Sequence, residues 1–243
     1  MKSFTIYLAA DSTVQTFQKT EEPQMGWGQK LYENFVGSET CEIYHPDTTS
    51  FEQVTRYDLP GISIDNRAMA GRSSRSFRDE GRLDDIEKVI KPGDFMFVQF
   101  AHNDANKGKE ERYIPVEKYG ESLQTYVDVC KKHGAQCVLV TAIAMRNCEE
   151  NPEGIFTYSF PEYREAMIRF AKEENLPLLD LGKRSTEYCQ KLGKEGSKEI
   201  FLWVKPGEYP QSSHRDGKED NAHLKEKGAT AFAGLLADLI REY

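Results

Sequence analysis

The stretch that decides the fold is FTIYLAADST, residues Phe4–Thr13, in which a short apolar run stops at three polar residues. The run up to Ala10 is rich in strand-forming residues, which predicts a buried strand that ends in a loop. The pattern returns at Phe95–Phe100, where FMFVQF is followed by the polar segment His102–Asp104. Two buried strands, each followed directly by polar residues, indicate a sheet with its functional residues at the ends of the strands.

Between and after these runs, the sequence alternates between strand and helix patterns. Further strands are predicted at residues 61–65, 137–143 and 176–179, and helices at 27–35, 83–90, 119–132, 163–174 and 229–240. Residues 37–58 lack a clear period, and residues 193–219 predict a long loop near the site. The alternation predicts an α/β fold, a parallel sheet sandwiched between helices, in a single domain that spans residues 1–243.

Composition excludes several classes of protein. The 243-residue chain has a formal net charge of −8, which would repel a nucleic-acid backbone. No stretch approaches the roughly 20 apolar residues of a membrane span. The N-terminus lacks the pattern of a signal peptide, so we expect a cytoplasmic protein. We therefore expect neither a nucleic-acid nor a membrane partner, and the sequence leaves the oligomeric state open.

Polar clusters fall where a parallel sheet gathers its ligands, at the carboxyl ends of the strands. They follow the first strand at residues 11–13, the second at residues 66–74 and the third at residues 102–104. A fourth cluster, residues 220–223, precedes the last helix, and a returning loop can bring it to the same edge. The sequence therefore predicts one site built from four separate segments.

These segments contain what acyl transfer requires. A serine hydroxyl needs a base, and histidine supplies one near neutral pH, so we predict Ser12 as nucleophile and His223 as base. Asp220 lies three residues before His223 and would orient its imidazole. The N–H groups of Ser12 and Gly71 and the amide of Asn103 are the predicted oxyanion donors. Each residue alone is also typical of a turn or a cap, but their order favours catalysis.

Four further residues are predicted to bind substrate. His102 lies beside the proposed oxyanion asparagine, and Trp27 offers an aromatic face to a sugar, although core packing explains it as well. Because the chain is acidic, an anionic substrate would need a local positive patch. Arg72 and Arg146 follow strand ends and carry the fork that suits carboxylates.

The four clusters resemble the four sequence blocks of the SGNH/GDSL hydrolases, in order and across nearly the whole chain. Three segments are similar to those of the rhamnogalacturonan acetylesterases, carbohydrate esterase family 12: Asp11–Val14, Gly26–Gln29 and Asn66–Ser76. The resemblance implies a flavodoxin-like three-layer α/β/α fold that needs no metal or other cofactor. It also implies removal of acetyl groups from plant cell-wall carbohydrate, such as acetylated rhamnogalacturonan or its oligosaccharides.

Two departures and two alternatives remain. The family usually has glycine where this chain has Ala10 and Ala101, and either methyl group would narrow the space beside the oxyanion. The esterase signature G-x-S-x-G is absent, which argues against the α/β-hydrolase elbow. The same site would also suit a lysophospholipase, a thioesterase or a general short-acyl esterase. A carbohydrate-binding protein without turnover is the alternative from another class.

Overall fold

The computed structural model describes residues 3–151 and 153–243. Its main sheet has the strand order β2-β3-β4-β1-β5-β6-β7. These strands are β1 (Phe4–Ala10), β2 (Glu42–Tyr44), β3 (Thr55–Leu59), β4 (Ile62–Asn66), β5 (Phe95–Gln99), β6 (Gln136–Val140) and β7 (Leu178–Leu179). The strands from β4 to β7 in this order run parallel, whereas β2 and β3 add to the β4 edge in antiparallel fashion.

Helices cover both faces of the sheet. They are α1 (Ser74–Asp79), α2 (Arg82–Glu87), α3 (Tyr119–His133), α4 (Pro161–Glu173), α5 (Leu181–Ser197) and α6 (Glu226–Glu242). Because side chains of a strand alternate between faces, Ile6 and Leu8 pack in the cluster under α5 and α6, while Tyr7 and Ala9 pack under α1 to α4. This three-layer arrangement confirms the predicted α/β fold. In the part of the chain described, no helix is both long and apolar enough to cross a membrane.

The segment without a clear period, residues 37–58, contains β2 and β3. All three residues of β2 are exposed, so no alternation of buried and polar residues marks it as a strand. Its pairing with β3 is therefore an edge feature that the sequence pattern did not reveal. Two antiparallel strands therefore extend the predicted parallel sheet at this edge.

The predicted helix at residues 27–35 is also wrong, because the chain forms two short 3₁₀ turns, Trp27–Gln29 and Leu31–Asn34. Gly26 and Gly28 lie against the backbone of Val14 and Gln15, where an added Cβ would come within 2.4–2.5 Å of backbone atoms. The segment is held flat against the loop after β1, and this contact replaces a regular helix.

The predicted loop at residues 193–219 is wrong at both ends. Helix α5 is interrupted at Gly193, whose φ is 69°, and helical structure then resumes up to Ser197. Strand β8 (Phe201–Val204) pairs in antiparallel fashion with β9 (Lys218–Leu224) in a separate two-stranded sheet. The N–H of Met25 donates to the carbonyl of Leu224 at 2.9 Å, which ties the end of β9 to the segment beside the loop after β1. The hairpin thus carries residues 220–223 back to the carboxyl edge of the main sheet.

Candidate active site

The turn directly after β1 holds Ser12. The carboxylate Oδ1 of Asp11 accepts hydrogen bonds from the backbone N–H of Thr13 at 2.9 Å and from its hydroxyl at 2.7 Å. The carbonyl of Asp11 accepts from the N–H groups of Val14 and Gln15, both at 3.2 Å. These bonds fix the turn, so the carboxylate and the carbonyl of Asp11 both have a structural role beside Ser12. Ser12 itself is only 7% exposed.

Ser12, His223 and Asp220 form one continuous chain of hydrogen bonds. Nε2 of His223 lies 3.0 Å from Oγ of Ser12, and Nδ1 of His223 lies 2.9 Å from Oδ2 of Asp220. The other carboxylate oxygen of Asp220 accepts from the backbone N–H groups of Ala222 and His223 at 2.8 and 2.9 Å. The structure therefore brings together the three residues predicted to act as nucleophile, base and orienting acid.

The environment of Asp220 keeps it ionised. Burial by itself would raise the pKa of Asp220, but the hydrogen bond and charge of His223 and the two backbone donors lower it well below its usual range. An ionised carboxylate can only accept, so Nδ1 of His223 must carry a proton toward it. The lone pair of Nε2 then faces the hydroxyl of Ser12, which is the tautomer that a general base requires.

The predicted oxyanion donors lie on loops that are tied to the end of β1. The N–H of Met69 donates to the carbonyl of Ala10 at 3.0 Å, which places the loop containing Gly71 beside the turn of Ser12. The side-chain amide of Asn103 donates to the carbonyl of Arg72 at 3.0 Å, which leaves its second N–H unused by this bond. The backbone at Gly71 has a φ of 77°, the left-handed region that favours glycine.

Comparison with known proteins shows the family to which this chain belongs. The family model of GDSL-like lipases and acylhydrolases matches residues 7–236. The chain belongs to this family. It is 34% identical over 241 residues to the rhamnogalacturonan acetylesterase RhgT of Bacillus subtilis, covering 99% of this chain and 91% of the relative. It is 37% identical over 238 residues to the probable rhamnogalacturonan acetylesterase YesY of the same organism, covering 98% and 92%.

A solved structure agrees with this membership. The crystal structure of the YxiM protein of Bacillus subtilis superposes with a TM-score of 0.74 at 26% identity, covering all of this chain and 57% of that one. The solved structure of a putative GDSL-like lipase from Parabacteroides merdae superposes with a TM-score of 0.58 at 13% identity, covering all of this chain and 97% of that one, which confirms the predicted fold. Membership of the GDSL family together with the acetylesterase relatives identifies the chain as a carboxylic ester hydrolase.

Arg112 is a residue of this site that the sequence did not reveal. Its guanidinium donates to Oδ1 of Asn103 at 3.4 Å. The same group lies against Gly71, where an added Cβ would be 3.1–3.4 Å from three of its atoms. The guanidinium of Arg112 thus lies beside the space that a side chain at position 71 would occupy. No periodicity marks residues 105–113, and Arg112 is one of several basic residues there.

Two of the predicted substrate-binding residues are buried and support the site from behind. Trp27 is 1% exposed, and its indole N–H donates at 3.0 Å to Gln99, whose amide donates at 2.7 Å to the hydroxyl of Thr13. The prediction that Trp27 offers a platform to a sugar is therefore wrong. Its packing against the core instead supports the turn that carries Ser12.

Arg146 is the second buried residue. Its side chain has no exposed surface, and it contacts Ser197, Glu149 and the carbonyl of Lys194. Its backbone N–H donates to the carbonyl of Asn221 at 2.7 Å. The prediction that Arg146 contacts a substrate carboxylate is wrong, because its guanidinium is enclosed. It anchors the strand that carries Asp220 and His223.

His102 is also enclosed. Both of its ring nitrogens are buried, its Nδ1 lies 3.4 Å from Oδ2 of Asp11, and its ring packs edge-on against Phe160 at 5.1 Å between centroids. The prediction that His102 binds substrate is therefore wrong, because neither nitrogen reaches the surface.

Arg72 is partly exposed, but its guanidinium already contacts Glu80 and the carbonyl of Ala70. Its role in substrate binding stays a prediction.

A buried polar group lies behind the oxyanion loop. Oδ1 of Asp104 accepts from the N–H and the hydroxyl of Ser74 at 3.0 and 2.6 Å. Burial, aided by the charge of Asp11, raises the pKa of Asp104 to about 7, although Ser74 opposes the shift.

Among residues 3–151 and 153–243, no group of three or more His, Cys, Asp or Glu side chains is arranged to hold a metal ion.

Proposed function

We propose that this chain removes acetyl groups from acetylated rhamnogalacturonan or its oligosaccharides through an acyl-enzyme on Ser12. The observation that carries the proposal is the hydrogen-bonded chain from Ser12 through His223 to Asp220. The substrate follows from the relatives, since two proteins with more than a third of their aligned residues in common with this chain are named for that activity. Ser12 is only 7% exposed, and a small acyl group such as acetyl suits a nucleophile with so little exposed surface.

Acylation begins when Oγ of Ser12 attacks the acetyl carbonyl carbon and Nε2 of His223 takes the serine proton. The carbonyl oxygen then carries a negative charge. The N–H groups of Ser12 and Gly71 and the free N–H of the Asn103 amide donate to that oxygen, and they are fixed before the reaction begins. When the tetrahedral intermediate collapses, the bond between the acetyl carbon and the sugar oxygen breaks, and His223 gives its proton to that oxygen, which leaves as a hydroxyl.

Deacylation reverses these roles. A water molecule attacks the acetyl carbonyl of the acyl-enzyme while His223 accepts a proton from it. The second intermediate uses the same oxyanion donors, and its collapse releases acetate and restores the hydroxyl of Ser12. Asp220 stays ionised throughout and stabilises the positive imidazole in both half-reactions.

The test measures acetate release from acetylated rhamnogalacturonan oligosaccharides and hydrolysis of p-nitrophenyl esters from acetate to octanoate. We expect activity on acetate that falls with acyl length and disappears in Ser12→Ala. The matched control is Ser213→Ala, because Ser213 is exposed and lies on the loop before β9. A preference for long acyl chains would favour a lipid or thioester substrate. Activity that survives in Ser12→Ala would refute the proposed nucleophile.

A further inference from the structure

Arg112 is a partly exposed cation at the edge of the oxyanion loop. Its side chain is 32% exposed, and it reaches back from the loop after β5 to lie against Gly71 and Asn103. Gly71 and Asn103 supply two of the predicted oxyanion donors, so under the proposed function the guanidinium lies beside the position of the scissile acetyl group. A cation at this place faces whatever part of the substrate lies next to the ester.

The bonding capacity of Arg112 is largely unused. A guanidinium has five N–H donors, and the contact to Asn103 at 3.4 Å is long for a hydrogen bond. The carboxylate of Glu111 lies 3.5 Å from Nε of Arg112, but it is 63% exposed, where water weakens the pair. The fork of Arg112 is therefore available to a stronger acceptor.

The other arginines predicted to recognise an anion are already engaged. Arg146 is enclosed beneath β9, and Arg72 holds Glu80 with its Nε. In a protein with a net charge of −8, an anionic substrate needs a local positive group at the reacting centre. Arg112 satisfies this requirement, because it is partly exposed, weakly paired and adjacent to the oxyanion donors.

We propose that Arg112 is a specificity residue that binds the carboxylate of an acetylated uronate while the acetyl group of the same sugar lies at Ser12. This inference rests on the proposed function. A pyranose ring that carries both groups would place the ester carbonyl at Gly71 and Asn103 and the carboxylate at the guanidinium beside them. Planar bidentate pairing suits this geometry, since arginine and carboxylate match as two parallel hydrogen bonds.

Gly71 has a second function in this arrangement. A Cβ at position 71 would lie 3.1–3.4 Å from the guanidinium, so any side chain there would force Arg112 to shift. The same residue thus supplies an oxyanion donor and makes room for the cation. Gly71 therefore borders both the acetyl subsite and the carboxylate subsite. The backbone of the loop that contains Gly71 sets the distance between these two subsites.

The experiment compares three esters: a mono-O-acetylated methyl galacturonide, the matching galactoside with a hydroxymethyl group in place of the carboxylate, and p-nitrophenyl acetate. For Arg112→Gln we expect kcat/KM on the galacturonide to fall about 10–100-fold, mainly through KM, because a hydrogen-bonded ion pair is lost. The galactoside and p-nitrophenyl acetate should change by no more than about twofold. Arg112→Lys should recover part of the loss, because it keeps the charge but not the fork.

Arg78→Gln is the matched control, since Arg78 lies on the exposed side of α1 and pairs with Asp79. It makes the same change in net charge outside the site and should leave all three rates unchanged. An equal loss on all three esters in Arg112→Gln would overturn the proposal and assign Arg112 to the orientation of Asn103. No loss on any ester would overturn it as well. A wild-type protein inactive on all three would refute the proposed function itself.

Discussion

Replacing Asp220 by asparagine tests the orientation of the catalytic histidine. Oδ1 of Asp220 accepts two backbone N–H groups, from Ala222 and His223, and Oδ2 faces Nδ1 of His223. An asparagine has one acceptor oxygen, and the two backbone donors require it. The amide nitrogen is then turned toward Nδ1 of His223, and it donates where the carboxylate accepted.

This reversal inverts the tautomer of His223. Nδ1 must now be the acceptor, so the proton moves to Nε2, which points at Oγ of Ser12 at 3.0 Å. The imidazole can no longer take the serine proton, and the charge that stabilises the imidazolium is lost. We expect kcat to fall by about 10³–10⁴ with little change in KM. That loss corresponds to about 4–5.5 kcal/mol of activation free energy.

The assay is steady-state hydrolysis of p-nitrophenyl acetate and of acetylated oligosaccharide by wild type and Asp220→Asn. Asp216→Asn is the control, because Asp216 is 92% exposed on the preceding loop and undergoes the same chemical change. The far-UV circular dichroism of both variants should match that of the wild type, since the backbone bonds at position 220 are kept. An Asp220→Asn enzyme within about tenfold of wild type would refute this account of the histidine.

Three further predictions concern the loop after β5. Asn103→Ala should lower kcat by about 10²–10³ on every ester, because one oxyanion donor is lost. Ala101→Gly should stabilise the fold by about 1 kcal/mol in urea unfolding, because Ala101 has a φ of 137°, a region that favours glycine. Asp104→Asn should change the pH dependence of stability. Folded Asp104 holds its proton up to a pKa of about 7, whereas the unfolded chain releases it near pH 4. Wild type should therefore lose about 2–3 kcal/mol relative to Asp104→Asn between pH 5 and pH 8.

Each of these changes has its own control. Asn106→Ala removes an exposed amide from the same loop and should leave kcat unchanged. Ala231→Gly lies within α6 and should cost about 1 kcal/mol, the opposite sign to Ala101→Gly. A lower unfolding midpoint in Ala101→Gly would contradict the strain at that residue. Parallel pH profiles for wild type and Asp104→Asn would show that Asp104 is ionised in the fold throughout this range.

The sequence predicted the centre of the fold better than its edges. The buried runs at β1 and β5 are apolar on both faces, because helices cover both sides of a parallel sheet. Strand β2 has only three residues, all of them exposed, so no burial pattern distinguishes it from a loop. The hairpin of β8 and β9 was missed for a related reason, since six of the seven residues of β9 are only partly buried or exposed. Periodicity reports burial, and these strands are weakly buried.

Burial also separates the site residues that were predicted correctly from those that were not. Ser12, His223 and Asp220 were predicted from residue chemistry and order, and the structure places them within hydrogen-bond distance of one another. Trp27 and Arg146 were assigned to substrate because their side chains suit sugars and carboxylates. Both side chains are enclosed instead, and exposure is a property of the fold that residue type does not determine.

Trp27 and Arg146 help to hold the catalytic residues in position. Trp27 is linked through Gln99 to the turn of Ser12, and Arg146 is bonded to the backbone of the strand that carries His223. These two supports come from separate segments of the chain, and each fixes one partner of the Ser12–His223 contact. A general base is useful only if its distance to the nucleophile is held within a fraction of an ångström. Enclosed side chains with several partners provide that constraint, whereas the partly exposed Arg112 keeps its donors available for substrate.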